Sequence, residues 1–354
     1  MAFINFKPSS FFQTKIYDGN SSTQAITGVG FQPDKLDIKR RNGGDNNWRV
    51  CDSVRTADNS LMYNLNNEAS DLTGTVTAFD ADGFSLGNNA SYVGGFNETG
   101  GEYASYNWKM GTTSGITQGA ASVTPTAYSF NATAKQSIIQ WTGTGSVLTV
   151  PHGLGVEPGS IFVKCTSHSG DWVAYHKSMG GSYGMELPST SGQSATSGWF
   201  NNTGATSDLF TIGDNGNVNT SGRTYIAYVY GPRKGMSSFG KYIGNGASTS
   251  TEHGGPFIYC NFRPCMLFIK RIDTTGAWYL WDDKREGYNE TNDEFSLNSA
   301  AAEGSGNISL DILGTGFKLR NSDGSYNADG GSYIYWAWAA EPQVGSDGTP
   351  GLAR

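Results

Sequence analysis

Apolar and polar residues alternate over short runs along most of this chain, and the same runs recur. The lines GFQPDKLDIKR (30–40), GVEPGSIFVKC (155–165) and NFRPCMLFIKR (261–271) place Pro33, Pro158 and Pro264 in register. After each proline, the pairs Leu36/Ile38, Ile161/Val163 and Leu267/Ile269 alternate at a spacing of two and lead to Lys39, Lys164 and Lys270. A period of two turns one face of a strand inward, and proline suits the start of such a strand because it has no amide hydrogen to give the ladder. A tryptophan follows each line, Trp48, Trp172 and Trp278, and opens a second predicted strand. Phe84/Leu86, Phe210/Ile212 and Phe317/Leu319 mark a third. The last recurring element reads N-x-x-G-x-x-Y-x-x-[YW]-x-[WY], as NETGGEYASYNW (97–108), NTSGRTYIAYVY (219–230) and NADGGSYIYWAW (327–338). In its third copy the face made by Ile334, Trp336 and Trp338 corresponds to Ile226, Tyr228 and Tyr230 and to Ala104, Tyr106 and Trp108.

Three copies of one pattern predict an all-β protein of three tandem related β-sandwich modules, jelly-roll-like, with very little helix. A period of about 100 residues is too long for a propeller blade or a solenoid rung, and a unit of that size can bury a core of its own. The expected organisation is an N-terminal anchor segment at 1–12, module 1 at 13–111, a linker or β-arm at 112–135, module 2 at 136–232, module 3 at 233–342 and a C-terminal tail at 343–354. The connector at 112–135 reads as polar and flexible, or as an arm packing on a neighbouring subunit. Helix is expected only in pieces such as SAAAEG (299–304).

Composition agrees with many turns and few helices: of 354 residues 49 are Gly, and only 16% are charged. The formal net charge is −7 and the Lys and Arg residues are scattered, so nothing supplies the basic stripe that a phosphate backbone requires. Nucleic acid is therefore not an expected partner. The start MAFINFKPSSFFQTK lacks a basic segment followed by an apolar run, and no stretch of about 20 apolar residues occurs, so neither a secretion leader nor membrane insertion is expected. Cys51, Cys165, Cys260 and Cys265 lack zinc-site spacing and read as small buried hydrophobes or free thiols.

Candidate chemistry is sparse. The motif Asp52-Ser-Val-Arg55 is matched by Asp282-Asp283-Lys-Arg285, but the second unit carries His176 and Met179 there. Adjacent Asp282 and Asp283 on a strand point to opposite faces, so they are not a facing carboxylate pair of the kind glycoside hydrolysis uses. An Asp-to-Arg ion pair is the expected role. His152, His168, His176 and His253 are dispersed, and the oxygen-rich turns at 321–331 and 79–83 lack EF-hand spacing. No catalytic residue, metal or cofactor is expected. The unrepeated tryptophans Trp141, Trp199 and Trp281 are the candidates for a sugar platform, because residues required by the fold should recur in every unit and residues recruited for recognition need not.

The phrases GFQPDKLDIKRR, CDSVR, PHGLGVEPGSIFVK, YIAYVYGPRKGMSSFGKYIGNG, GPFIYCNFRPCMLFIKR and GFKLRNSDGSYNADGGSYIYWAWAAEP resemble a module found in tail and other virion structural proteins of tailed bacteriophages, notably of marine bacteria and cyanobacteria. The resemblance covers nearly the whole chain; in unit one KLDIKRR departs from the more apolar strand usual there. It implies a non-enzymatic virion structural protein of the tail (fibre, tip or adhesin) carrying lectin-like β-sandwich modules and acting in host-surface attachment. The alternatives are a capsid-decorating or head-fibre protein and, last, a polysaccharide-degrading tailspike. The implied partners are copies of itself in a homotrimer or other symmetric oligomer, other tail or capsid proteins, and a host-surface glycan; the implied location is the virion, assembled in host cytoplasm. Phe3, Phe6, Phe11 and Phe12 are too many aromatics to leave solvated, and form the expected virion-docking segment.

Overall fold

The structure, a computed structural model, describes residues 7–117, 119–248, 254–305, 309–339 and 341. Strands dominate it, and every pairing between named strands is antiparallel. The sheets fall into three sets that follow the sequence repeats. In the first, Phe12–Asp18, Glu102–Trp108, Lys35–Arg40 and Arg49–Asp52 lie side by side, and a smaller sheet of Gln24–Thr27, Gly83–Leu86 and Val76–Asp80 backs them. In the second the order is Gln136–Thr142, Thr224–Tyr230, Ser160–Cys165 and Val173–His176, backed by Leu148–Pro151 and Leu209–Ile212. In the third it is Ser237–Ile243, Ser332–Ala339, Pro264–Arg271 and Trp278–Asp282, backed by Phe257–Tyr259, Gly316–Leu319 and Leu310–Leu313. Each unit's last strand thus sits between its first strand and its proline-led strand.

The recurring N-x-x-G-x-x-Y motif builds the turn into that last strand. Asn97, Asn219 and Asn327 each donate both amide hydrogens to backbone carbonyls, Ser22 and Gly87, Ser146 and Gly213, and Ala247 and Asn321. Gly100, Gly222 and Gly330 take φ near +80°, +78° and +69°, where a side chain is strained. Tyr103, Tyr225 and Tyr333 then latch the turn, accepting from the amides of Glu98, Thr220 and Ala328 and donating to the carbonyls of Gly94, Gly216 and Gly324.

One reading is corrected. SAAAEG forms no helix: Ala300 lends its carbonyl to the amide of Asn46 and to Lys39 Nζ, and Gly304 bridges to Glu294. The named α-helices are instead the single turns Ser197–Phe200 and Gly216–Asn219, N-capped by Thr196 and Asn215. Part of the polar connector is a strand, Ala127–Asn131, which hairpins onto Gln136–Thr142 of the same chain.

Each unit has its own core between its large and small sheets, and a fourth and larger core is common to all three. The even-numbered face of each last strand points into that common core, while Tyr103, Tyr225 and Tyr333 point into the unit's own. At its centre Trp108, Tyr230 and Trp338, one equivalent position from each unit, meet pairwise at ring-centroid distances of 6.2, 6.3 and 5.3 Å. The units are therefore arranged around an internal pseudo-threefold axis.

The seams between units repeat the same cyclic sense. Trp48 Nε1 donates to the Ser296 carbonyl of unit three, Trp172 Nε1 to Met62 of unit one, and Trp278 Nε1 to Ser189 of unit two, at 2.9, 2.8 and 3.1 Å. Lys39, Lys164 and Lys270, all with no exposed surface, follow suit: Nζ reaches the carbonyls of Ala300, Asn66 and Thr190, again on the preceding unit of the ring. The recurring lysine of the sequence lines is an inter-unit clamp.

These clamps give the protein a defined pH response. Burial pulls the ammonium groups of Lys39 and Lys164 down to about 8 and that of Lys270 to about 7. An unfolded lysine titrates near 10.4, so above the folded values the unfolded chain binds more protons and stability rises with pH. The rise spans about pH 7 to 10 and amounts to the order of 1–3 kcal/mol for each lysine. Above about pH 10 it reverses, because burial raises the hydroxyls of Tyr63, Tyr106, Tyr228 and Tyr230 and unfolded tyrosines ionise first. Chemical denaturation between pH 7 and 10 checks this; a flat profile, or the same rise in the Lys39→Met, Lys164→Met, Lys270→Met triple variant, refutes it.

Candidate recognition surface

The two Asp-x-x-Arg motifs lie at these seams. Asp52 Oδ1 accepts from the amides of Val54 and Arg55, and Oδ2 takes Arg55 Nε at 2.7 Å and the Tyr228 hydroxyl of unit two at 2.6 Å. Asp282 repeats the arrangement with the amides of Lys284 and Arg285, with Arg285 Nε at 2.6 Å and with the Tyr106 hydroxyl of unit one at 2.8 Å. Burial works against the Asp282 carboxylate, but Arg285 and these donors hold it below the usual carboxylate range. At the third equivalent position His176 meets Trp336 of unit three edge-on at 4.7 Å. The Asp-to-Arg pairs expected from the sequence are present, and their added role is to receive a tyrosine from the next unit.

Burial pushes His176 down to about 3, and its Nδ1 accepts from the Ser178 amide while Nε2 faces the Tyr335 carbonyl at 3.2 Å. His152 is likewise buried, pushed to about 4 and spanned by the Leu154 amide and the Thr206 carbonyl. Both are neutral struts at pH 7. His168 is exposed on another loop, and His253 lies outside the described residues. Among the described residues no three His, Cys, Asp or Glu side chains are grouped to hold a metal. In the oxygen-rich turns, Asp82 braces the amides of Gly28 and Gly30, and Asp323 accepts from Ser325. All four cysteines are buried and free.

The seam between units three and one carries the densest charge. Arg41 grips Glu303 through Nε and Nη2 at 3.1 and 3.0 Å, and Arg285 Nη1 reaches the same carboxylate at 3.0 Å. Burial, reinforced by Glu303 and Glu286, pushes neighbouring Asp293 up to about 6. Two guanidiniums held on Glu303 make this an ion-pair lock between units.

Trp141, Trp199 and Trp281 do not form a platform. They are 0%, 7% and 0% exposed and fill the second and third units' own cores, where Trp141 packs on Phe210 and Tyr225 and Trp281 on Tyr326. The docking segment is also partly reassigned. Phe12 is fully buried at the axis, 5.0 Å from the Trp108 ring and 6.3 Å from that of Trp338, so its ring is taken up by the chain's own core. Phe11 is half-buried and its carbonyl accepts from the Lys109 amide and Gln136 Nε2. Phe3 and Phe6 lie outside the described residues.

Large apolar side chains that do face solvent include Phe257 and Tyr259, 47% and 58% exposed, on the outer strand of the third unit's small sheet. Ile258 between them is buried in that unit's core, so the two rings share the outward face. Their counterparts are Ala25 and Thr27 in unit one and Thr149 and Pro151 in unit two, as the pairings of Ile26, Val150 and Ile258 with Phe84, Phe210 and Phe317 establish. Sequence reasoning missed this pair although its own rule selects them. The signal was strand parity in GPFIYCNF, where Phe257 and Tyr259 flank the inward Ile258. Elsewhere, a groove of about 800 Å³ between units one and two is lined by Asp34, Ser53, Lys109 and Tyr128 among others. Its acid is already occupied, since Asp34 accepts from Ser53, Ser129 and the Met110 amide.

Fold and surface together define an all-β sandwich protein whose threefold repetition is internal to one chain. Residues 7–342 match the family described as Domain of unknown function (DUF7483), and the chain belongs to that family. No curated protein and no solved structure matches it.

Proposed function

We propose that this protein is a non-enzymatic structural component of the exterior of a tailed-phage virion, placed in the tail and acting in attachment to the host surface. The observation that carries the reading is the closed ring of three β-units around a common aromatic core, with buried Asp, Arg, Lys and His side chains holding the seams. A body held together in this way presents surfaces fixed by a buried core, which suits an appendage exposed to mechanical load. The sequence resemblance to virion proteins supports the same reading.

The ring also bears on partners. The threefold contacts are made within one chain, each inter-unit seam being closed by the next unit. We therefore expect a chain that is monomeric in isolation, with a mass near 37.8 kDa by light scattering after gel filtration; a trimer would restore the homo-oligomer reading. Lys7 and Glu341 pair at 4.0 Å, so the two ends of the described chain leave from the same pole, the one holding Trp108, Tyr230 and Trp338. The turns at Gly100, Gly222 and Gly330 lie at the opposite ends of the same strands. Immunogold labelling of purified particles with an antibody to this chain tests the assignment. Tail labelling supports it, head labelling transfers the protein to the capsid-decorating alternative, and unlabelled particles overturn it.

A further inference from the structure

We propose that the outward face of the sheet Phe257–Tyr259, Gly316–Leu319 and Leu310–Leu313 binds a neutral glycan, with Phe257 and Tyr259 stacking on successive sugar rings. The proposal rests on the attachment reading above and names the ligand class for it. Alternate residues on a strand stand about 6.8 Å apart on one face, a separation that two neighbouring rings of an extended oligosaccharide can span. Sugar rings present apolar C–H faces and polar edges, and aromatic faces bordered by hydrogen-bonding groups match both. Phe257 lies opposite Lys318 and Tyr259 opposite Gly316, so a charged donor borders one ring while the floor beside the other stays clear. That glycine cannot be replaced cheaply, because a Cβ there would come within 2.0 Å of the Ile258 carbonyl oxygen. Tyr259 is oriented in advance, its hydroxyl donating to Asn261 Oδ1 at 2.7 Å.

The neighbouring charges select an uncharged ligand. Lys318 pairs across the sheet with Asp311, Arg320 Nε lies 3.4 Å from Asp311, and Arg320 Nη2 lies 3.5 Å from Glu290. Among the described residues beside the rings, two cations and two anions cancel, so neither an anionic polysaccharide nor an anionic membrane is favoured.

The test is a printed array of neutral hexose and N-acetylhexosamine oligosaccharides, followed by titration of the best binder against the full-length chain. The wild type is expected to bind, F257A/Y259A to lose about tenfold in affinity, and Y259F to stay within a few-fold of wild type. Both rings being exposed, the double variant should melt with the wild type, which separates lost recognition from lost folding. No binding by the wild type, or equal binding by a folded F257A/Y259A variant, overturns the platform. A chain that labels tails yet binds no neutral glycan refutes this inference alone. A chain absent from particles that binds through these rings keeps the platform and refutes the virion reading.

Discussion

Lys35→Met alone is expected to lower the unfolding free energy by about 3–5 kcal/mol, and the K35M/D37F double variant to recover most or all of that loss. Lys35 and Asp37 are buried in the common core, with Lys35 Nζ 2.6 Å from both Asp37 oxygens and 2.9 Å from the Tyr63 hydroxyl, which itself donates to Asp37 at 2.9 Å. Nζ also lies 3.9 Å from the Trp108 ring centre and 4.8 Å from that of Tyr228. Burial lowers the lysine and raises the aspartic acid, so each group tolerates that environment only through the other. Removing one partner strands the second; removing both replaces an ion pair by packing. The replacements are supplied by the protein itself, because unit three carries Met266 and Phe268 at these positions and unit two carries Phe162. Denaturant unfolding of the two single variants and the double variant reads the coupling. Single and double variants that lose equal stability would show the pair to be uncoupled.

Trp338→Ala is the second large effect, a loss of about 3–5 kcal/mol with consequences in all three units. Its ring contacts Trp108 and Phe12 of unit one, Tyr230 of unit two and Phe239 and Phe268 of its own unit. A cavity at that point loosens the last strand of every unit, so amide exchange should quicken in Glu102–Trp108 and Thr224–Tyr230 as well as in Ser332–Ala339. Trp281→Ala is the control. Trp281 is as deeply buried, but its ring partners Tyr279 and Tyr326 belong to unit three, so its exchange effect should stay there. Exchange confined to unit three in both variants would mean that the units fold independently and that the common core transmits little.

The candidate surface shows where reading the sequence succeeds and where it stops. Trp141 and Trp281 looked like recruits because each occurs in one unit only. Their strands place them inward, and the absence of a repeat reflects the different packing needs of three cores. Phe257 and Tyr259 obey the same rule with the opposite parity, and alternation about Ile258 was enough to find them. Phe12 stood among four nearby aromatics and read as a docking group. Its burial depends on Trp338, more than 300 residues away, which no local pattern reports.

From sequence alone came the all-β class, the three proline-led strands, the turn motif and the face of Ile334, Trp336 and Trp338 as buried surface. These follow from periods of two and from the stereochemistry of Gly and Pro, which act within a few residues. Tertiary structure alone decided what that face is buried against. Alternation says that a side chain leaves water; it does not say whether the surface covering it belongs to the same unit or to the next one. Lys39, Lys164 and Lys270, and Trp48, Trp172 and Trp278, were visible as repeats. They became clamps only when each unit's neighbour supplied a carbonyl, a property of the ring that is carried by no single repeat.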